Sequence, residues 1–177
     1  MDKVRGFEVV SKYKNQGLTL PKRATHGSAG YDFRAAETIT IPSIWNVLTK
    51  NNGIASMQNG EIIEENKTFL KSTLVPTGIK AYMPENEYLM LVNRSSNAMK
   101  NHLSLPNAIG IIDSDYYGNE NNEGEIFVQL INYGLEDYII EKGDRIAQGI
   151  FTTYAVVDNE MDDFETRVGG FGSSGKK

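Results

Sequence analysis

Short runs of β-forming residues alternate with turn-forming residues along most of this chain. The runs are rich in Val, Ile, Tyr and Phe, and Pro42, Pro76, Pro84 and Pro106 separate several of them. Regular spacing of short apolar runs and turns is typical of an all-β sandwich or barrel. The predicted strands are residues 7–10, 38–41, 78–83, 88–92, 126–131 and 148–157.

The same pattern predicts one short helix, from Ser95 to Lys100, with a serine available as N-cap and a lysine in the last turn. Residues 43–72 look like a solvated excursion that holds the only tryptophan, and 119–124 look like a polar hairpin tip. We therefore expect a single β domain over residues 1–165, followed by a flexible glycine-rich arm over 166–177.

Composition excludes several classes of protein. The chain has 177 residues, 18 basic and 23 acidic side chains and a net charge of -5, so it carries no broad electrostatic footprint for nucleic acid. It contains no cysteine, which excludes disulfides, thiolate metal sites and a cysteine nucleophile. The N-terminus has no apolar signal core, and no run approaches membrane-spanning length. These features predict a soluble cytoplasmic protein that binds neither nucleic acid nor membrane.

The segment 110–118 is the strongest candidate for chemistry. Two apolar residues deliver Asp113, then Asp115 and the Tyr116–Tyr117 pair, into a turn closed by glycine. Asp113 could act as a general base, and the Tyr116 ring could pack against a flat or sugar-like ligand. Taken alone, such a segment is more often an acidic hairpin turn than a catalytic loop.

Two further clusters suggest phosphate binding. Arg94 precedes Ser95 and Ser96 at the predicted helix start, where free N–H groups and the guanidinium fork favour an anion, although a capping serine is the alternative. In residues 142–151 a turn leads to Gln148, a neutral donor and acceptor, and Arg145, which could instead pair with an acid in an ordinary hairpin.

The first and last clusters are individually weaker. Near the start, small residues lead into Asp32, which is also compatible with a loop that enters a strand. In the tail, Arg167 precedes glycines that flank Phe171. Because glycines leave backbone N–H groups accessible to phosphate and Phe171 could cover a base, the tail could be a lid that closes on a ligand.

In this order the five clusters resemble the five motifs of the homotrimeric deoxyuridine triphosphatase (dUTPase) family, over residues 20–175. The matching segments are Gly-Ser-Ala-Gly-Tyr-Asp, Arg-Ser-Ser, Gly-Ile-Ile-Asp-Ser-Asp-Tyr, Gly-Asp-Arg-Ile-Ala-Gln and Gly-Gly-Phe-Gly-Ser-Ser-Gly. The resemblance implies a distorted jelly-roll or barrel-like β fold and a homotrimer with active sites shared between subunits. It also implies Mg²⁺-dependent hydrolysis of dUTP to dUMP and pyrophosphate by attack of water on the α-phosphorus.

The resemblance also implies a role for each matching residue. Asp113 matches the general base, Tyr116 the tyrosine under the deoxyribose that leaves no room for a 2′-hydroxyl, and Asn107 the asparagine that reads the uracil edge. Asp32 matches an aspartate that supports the metal–phosphate network without direct metal contact. The phosphate-binding positions are matched by Arg94, Ser95, Ser96 and Gln148. The arm is matched by Arg167 on the γ-phosphate, Phe171 over the uracil, Ser173 and Ser174.

The chain departs from the family pattern at several positions. Arg167 lies closer to Phe171 than is common, Asn93 replaces a proline or glycine, and Gly149 replaces an apolar residue. Residues 43–72 look inserted, as in a phage or Gram-positive type of member. Some phage members bind repressor proteins, so a protein partner of this insert is one alternative function.

The related dCTP deaminases are a second alternative. Their catalytic glutamate aligns with Gln129, whose amide cannot shuttle a proton as a carboxylate can.

Overall fold

The computed structural model describes residues 3–46, 57–58, 61–62 and 72–160. Within this part of the chain, all pairings between strands are antiparallel. The strands are β1 (Gly6–Val9), β2 (Lys22–Arg23), β3 (Tyr31–Arg34), β4 (Ile39–Ile41), β5 (Met57–Gln58), β6 (Glu61–Ile62), β7 (Thr73–Pro76), β8 (Ile79–Tyr82), β9 (Glu87–Val92), β10 (Leu103–Ser104), β11 (Ile109–Asp113), β12 (Phe127–Asn132), β13 (Tyr138–Ile140) and β14 (Arg145–Thr153).

The largest sheet has five strands in the order β11-β9-β14-β3-β2, and a second sheet has the order β10-β12-β7. Two-stranded pairs join β1 to β8, β4 to β13 and β5 to β6. Sequential strands are rarely neighbours in this order, which is the topology expected of a jelly-roll-like fold and not of a simple meander. The all-β prediction is confirmed.

The core forms where alternate residues of the strands face inward. In β9 and β12 every second residue is buried, which is the period of a strand with one face on the core. Leu89 and Leu91 from β9, Val128 and Leu130 from β12 and Phe33 from β3 are each at most 2% exposed and belong to one cluster. Burial of these apolar side chains holds the two larger sheets together.

Each of the six predicted runs contains a strand, with shifted ends. The largest shift is in β14, which begins at Arg145 and ends at Thr153, earlier than predicted at both ends. The strands β2, β7, β10 and β13 lie outside the predicted runs, and each has only two to four residues, which is too few for a readable pattern.

The prediction that the segment around Asp113 forms a hairpin is wrong. β11 pairs with β9 in the five-stranded sheet, whereas β12 pairs with β10 and β7. Between them lie a 3₁₀ turn, Ser114–Tyr116, and a loop over residues 117–126. Tyr116 and Ile126 are buried at the two ends of this connection, which crosses from one sheet to the other. Gly118 therefore lies in a crossover loop and not in a hairpin turn.

The predicted helix is present as α1, Ser95–Lys100, but its N-cap is Arg94 and no side chain caps it. The serine cap was therefore a wrong prediction. Residues 44–46 are also helical, so the chain has more than the single helix expected. Among the described residues, no helix has the length and apolar character that crossing a membrane requires.

The start of the predicted insert is anchored to the loop between β12 and β13. Ser43 donates from its N–H to Asp137 (2.9 Å) and from its hydroxyl to the Gly134 carbonyl (2.6 Å), and Trp45 donates from Nε1 to the Tyr133 carbonyl (3.1 Å). Most of the predicted insert, and the arm predicted over 166–177, lie outside the described residues.

Candidate active site

Strand register places the predicted phosphate residues side by side. Across the five-stranded sheet, Val92 of β9 lies opposite Gln148 of β14, and Gln148 lies opposite Asp32 of β3. Arg94 follows Val92 by two residues, where β9 ends and α1 begins. Three segments that are far apart in sequence therefore meet at one end of this sheet.

Asp32 lies between two arginines. Its Oδ1 is 3.4 Å from Arg94 Nε, and its Oδ2 is 3.1 Å from Arg145 Nη1. The Asp32 and Arg94 side chains are only 12% and 17% exposed, whereas that of Arg145 is 44% exposed. Arg94 also donates from Nη1 to the Arg145 carbonyl (3.0 Å). Arg145 pairs with Arg34 in the β3–β14 register, and the register shifts by a bulge between Arg145 and Ala147.

Arg145 is a residue whose role sequence reasoning left open. Its pairing with an acid is confirmed, and the acid is Asp32. The ordinary hairpin expected around it is wrong, because β13 pairs with β4 whereas β14 pairs with β3 and β9. The cluster of two guanidinium groups and one carboxylate has a formal charge of +1, so it attracts anions and repels free cations. Within the described residues, no group of three or more acidic or histidine side chains could hold a metal ion.

The Asn93 side chain makes two hydrogen bonds that a proline or glycine at this position could not make. Its Oδ1 accepts the Arg94 N–H (2.9 Å), and its Nδ2 donates to the Leu103 carbonyl (3.0 Å). These bonds fix the start of α1, where Ser95 is exposed and Ser96 is half-buried. The N–H groups of the first residues of a helix have no intrahelical acceptor, so those of Ser95 and Ser96 can donate to an anion.

Two glycines shape the surroundings of Gln148. A Cβ on Gly30 would lie 2.5 Å from Gln148 Oε1, so glycine is required for the observed position of that amide. A Cβ on Gly149 would lie 2.6 Å from Cε2 of the buried Phe33 ring. The apolar residue common at this position in the family would not fit beside Phe33, which explains the departure seen in the sequence.

Both arginines line a pocket of about 220 Å³. Asn97 of α1 forms part of its wall and donates from Nδ2 to the Ile146 carbonyl (2.8 Å), although it is only 3% exposed. This bond ties the helix that follows Arg94 to the strand that carries Gln148. Sequence reasoning did not identify Asn97, because a polar residue in a short helix gives no sign of burial.

Asp113 lies at the other end of the same sheet. In β11, Ile109 pairs with Val92 near the arginines, whereas Asp113 pairs with Tyr88. Four residues of extended strand separate Ile109 from Asp113, roughly 13 Å. A single chain therefore does not bring Asp113 beside its own Arg94 and Gln148.

Asn107 lies in an exposed turn that precedes β11. Its carbonyl accepts the Ile109 N–H (2.7 Å), and its Nδ2 would lie 3.9 Å from a Cβ on Gly110.

Tyr116 is only 5% exposed, and its hydroxyl donates to the Glu125 carbonyl (3.1 Å). The ring can therefore act as a fixed wall beside Asp113. The predicted arm residues Arg167, Phe171, Ser173 and Ser174 lie outside the described residues.

The fold and these contacts define an all-β protein with an arginine-lined, anion-attracting site at one end of its largest sheet. The dUTPase family model matches residues 64–175. Over 174 residues the chain is 46% identical to the deoxyuridine 5′-triphosphate nucleotidohydrolase of Lactococcus lactis, and the match covers 98% of this chain and 99% of that protein.

Solved structures give the same result. The chain superposes on the crystal structure of the dUTPase from Streptococcus mutans with a TM-score of 0.69 and 38% identity, which covers 86% of this chain and 98% of that one. A structure of a variant dUTPase from S. aureus phage phi11, described with a structural Mg(II) ion, matches in fold with a TM-score of 0.62 and 16% identity over 92% of this chain and 98% of that one. The chain belongs to the dUTPase family, and the family prediction is confirmed.

Proposed function

We propose that this chain hydrolyses dUTP to dUMP and pyrophosphate, as its family membership and its 46% identity to a dUTP nucleotidohydrolase support. The observation in the structure that carries the proposal is the Asp32–Arg94–Arg145 cluster beside Gln148. Its positive charge and its rigid donors suit a triphosphate. The enzyme is a hydrolase of nucleotide metabolism.

The phosphates bind at the end of the sheet where α1 begins. Arg94 presents its guanidinium from a mostly buried position, Ser95 and Ser96 present hydroxyl and N–H groups, and Gln148 presents a neutral amide. Asp32 acts through the arginines: its carboxylate fixes both guanidinium groups and so supports the phosphate site without contacting the substrate.

The site would take Mg²⁺ as part of the substrate, held by its phosphates. The net positive charge around Asp32 opposes a free divalent cation, but it suits a metal–triphosphate complex whose charge is negative. When bound, Mg²⁺ offsets phosphate charge and fixes the triphosphate conformation. Asp32 steadies the arginines around that complex and is not a direct ligand.

Asp113 is the general base. Its carboxylate orients a water and accepts its proton as the water oxygen bonds to the α-phosphorus and the bond to the bridging oxygen of pyrophosphate breaks. Asn107, together with strand backbone beside Gly110, recognises the uracil edge. The Tyr116 ring packs under the deoxyribose and leaves no room for a 2′-hydroxyl.

The active site is assembled between subunits of a homotrimer. Asp113 lies about 13 Å along β11 from the end nearest to Arg94. The outer face of the same sheet carries apolar side chains in adjacent register positions: Ile111 is 48% exposed, and Met90 and Ile150 are half-buried. A sheet face that meets only water is normally polar, so these residues suit contact with further copies of the chain.

The arm over residues 166–177 completes the site in this proposal. Arg167 binds the γ-phosphate, Phe171 stacks over the uracil, and Ser173 and Ser174 add donors to the phosphates. A chain that ends after Glu165 should still form trimers and bind nucleotide, but it should turn dUTP over far more slowly. Equal kcat/KM for the truncated and full-length proteins would exclude a catalytic arm.

A second function is a protein-binding role for the insert, residues 43–72. Trp45 is 47% exposed, and Tyr133 and Leu135 near it are 51% and 76% exposed, which gives an apolar surface where the insert begins. This role would add to catalysis. A pull-down with full-length protein and with a variant lacking residues 47–71 tests it, and equal capture of partners by both proteins would exclude it.

The catalytic proposal is tested by incubating the protein and Mg²⁺ with dUTP, dCTP, dTTP and UTP separately while pyrophosphate release is measured. We expect rapid release from dUTP alone.

Asp113→Asn should keep dUTP binding, but it should lower kcat by roughly 10²-fold or more, because the general base is lost and the shape is kept. Deamination of dCTP would instead support the alternative enzyme, although Gln129, which donates to Ser72 Oγ (2.5 Å), offers no carboxylate for that reaction.

A further inference from the structure

The hydroxyl of Tyr116 has two hydrogen-bond partners in the loop that follows it. Asn122 donates from Nδ2 to this hydroxyl (2.7 Å), and the hydroxyl donates to the Glu125 carbonyl (3.1 Å). Both partners lie in the crossover loop over residues 117–126. The far end of the Tyr116 ring is therefore held from two sides.

The direction of these bonds follows from a third one. The Gly124 N–H can only donate, and it donates to Asn122 Oδ1 (3.0 Å). The Asn122 amide must therefore point its Nδ2, which can only donate, at the Tyr116 hydroxyl. The hydroxyl accepts this bond, and its own proton is directed to the Glu125 carbonyl.

The loop that carries these partners is itself closely packed. Gly124 has φ of +83°, and a Cβ there would lie 2.4 Å from the Tyr116 carbonyl oxygen. Glu125 is 5% exposed, and its Oε1 accepts the Gly78 N–H (3.1 Å) from the strand-bearing core. Asn122 and the Glu125 carbonyl are thus fixed partners and not mobile surface groups.

We propose that Asn122 is a positioning residue that sets the discrimination between deoxyribose and ribose. The inference rests on the proposed role of Tyr116 as the wall under the sugar. A wall rejects a 2′-hydroxyl only if it cannot retreat, and the bonds from Asn122 and to Glu125 oppose that retreat. Without the Asn122 side chain, the Tyr116 hydroxyl loses one of the two hydrogen bonds that hold the ring.

The test compares kcat/KM for dUTP with kcat/KM for UTP in full-length protein. Asn122→Ala should lower this ratio roughly three- to tenfold, the effect of one neutral hydrogen bond, mainly by raising activity on UTP. Tyr116→Phe, which keeps the ring and removes the hydroxyl, should lower the ratio at least as much, because it removes both bonds. Glu120→Ala changes an exposed residue of the same loop and is the matched control, with an unchanged ratio expected.

The double variant separates positioning from a general effect on the loop. Asn122→Ala added to the Tyr116→Phe background should not lower the ratio further, because the hydroxyl through which Asn122 acts is already gone. An unchanged ratio in Asn122→Ala, or an equal further loss in the double variant, would overturn the inference. A wild-type protein that hydrolyses UTP as fast as dUTP would overturn the proposed role of Tyr116 itself, and this inference with it.

Discussion

Asp32→Asn removes the carboxylate charge between Arg94 and Arg145 and changes the shape of the side chain very little. The pair with Arg145 is nearly half exposed, so its loss should cost less than about 1 kcal/mol. The pair with Arg94 is mostly buried, and Arg94 Nε has no hydrogen bond of good geometry to replace it. Leaving that guanidinium uncompensated should bring the total loss to roughly 1–3 kcal/mol.

The sign of the change in KM for dUTP distinguishes a purely electrostatic role of Asp32 from a positioning role. If Asp32 acted only through its charge, its removal would make the phosphate site more positive and would tighten dUTP binding. If Asp32 positions the two guanidinium groups, its removal lets them move apart, and KM for dUTP should rise while kcat falls. We expect the second result, about tenfold or more in kcat/KM, because misplaced donors lose most of their value.

The assays are thermal unfolding and steady-state pyrophosphate release. For a chain of this length, a loss of 1–3 kcal/mol corresponds to a fall in Tm of roughly 3–9 °C. Asp158→Asn removes the same charge from an exposed residue and should change neither quantity. Unchanged Tm and a lower KM in Asp32→Asn would refute the positioning argument.

Three further predictions follow from other contacts. Gly30→Ala should raise KM for dUTP in steady-state assays, because its Cβ would displace the Gln148 amide oxygen 2.5 Å away, and an unchanged KM would remove Gln148 from the phosphate site. The hydrogen bond from Arg5 lowers the pKa of Glu87, so the stability this pair contributes is full above the unfolded carboxyl pKa of about 4.3 and is lost as pH falls through the folded value. The Tm difference between wild type and Glu87→Gln should therefore be largest at neutral pH and shrink below about pH 4.3; a constant difference would contradict this. Light scattering should give about three times the 19.7 kDa chain mass, and a fully active monomer would refute the shared site.

Much of the fold could be predicted from local pattern. The runs around β8, β9 and β12 are short, rich in apolar, aromatic and β-branched residues and bounded by turn-forming residues, and that signal needs no knowledge of their partners. Which strands pair with one another could not be predicted in this way. The glycine and the acidic residues after β11 resemble a hairpin turn, yet burial of Tyr116 and Ile126 sends the chain into the other sheet.

Some residues of the site could likewise be predicted from the sequence, whereas others are identified only by the fold. Chemistry-bearing residues such as Arg94 and Gln148 could be selected by type and by resemblance, because phosphate binding needs their donors. Arg145 was left between two interpretations, since its partner Asp32 is 113 residues away in sequence and only the register of β3 and β14 brings them together. Asn122 gave no signal, because one asparagine in an asparagine-rich loop is indistinguishable from its neighbours until the fold places it on Tyr116.

The central claim is that Asp113 of one subunit serves the phosphate residues of another, since one chain holds them at opposite ends of β11 and β9. Complementation tests this directly: Asp113→Asn and Arg94→Gln are each made as homotrimers, and the two chains are then co-expressed in equal amounts. If the site is shared and the chains assemble at random, about one quarter of all sites in the trimer population combine an intact Asp113 with an intact Arg94, and about that fraction of wild-type dUTP hydrolysis should return. Mixed trimers that stay as inactive as the two parent variants would contradict the account.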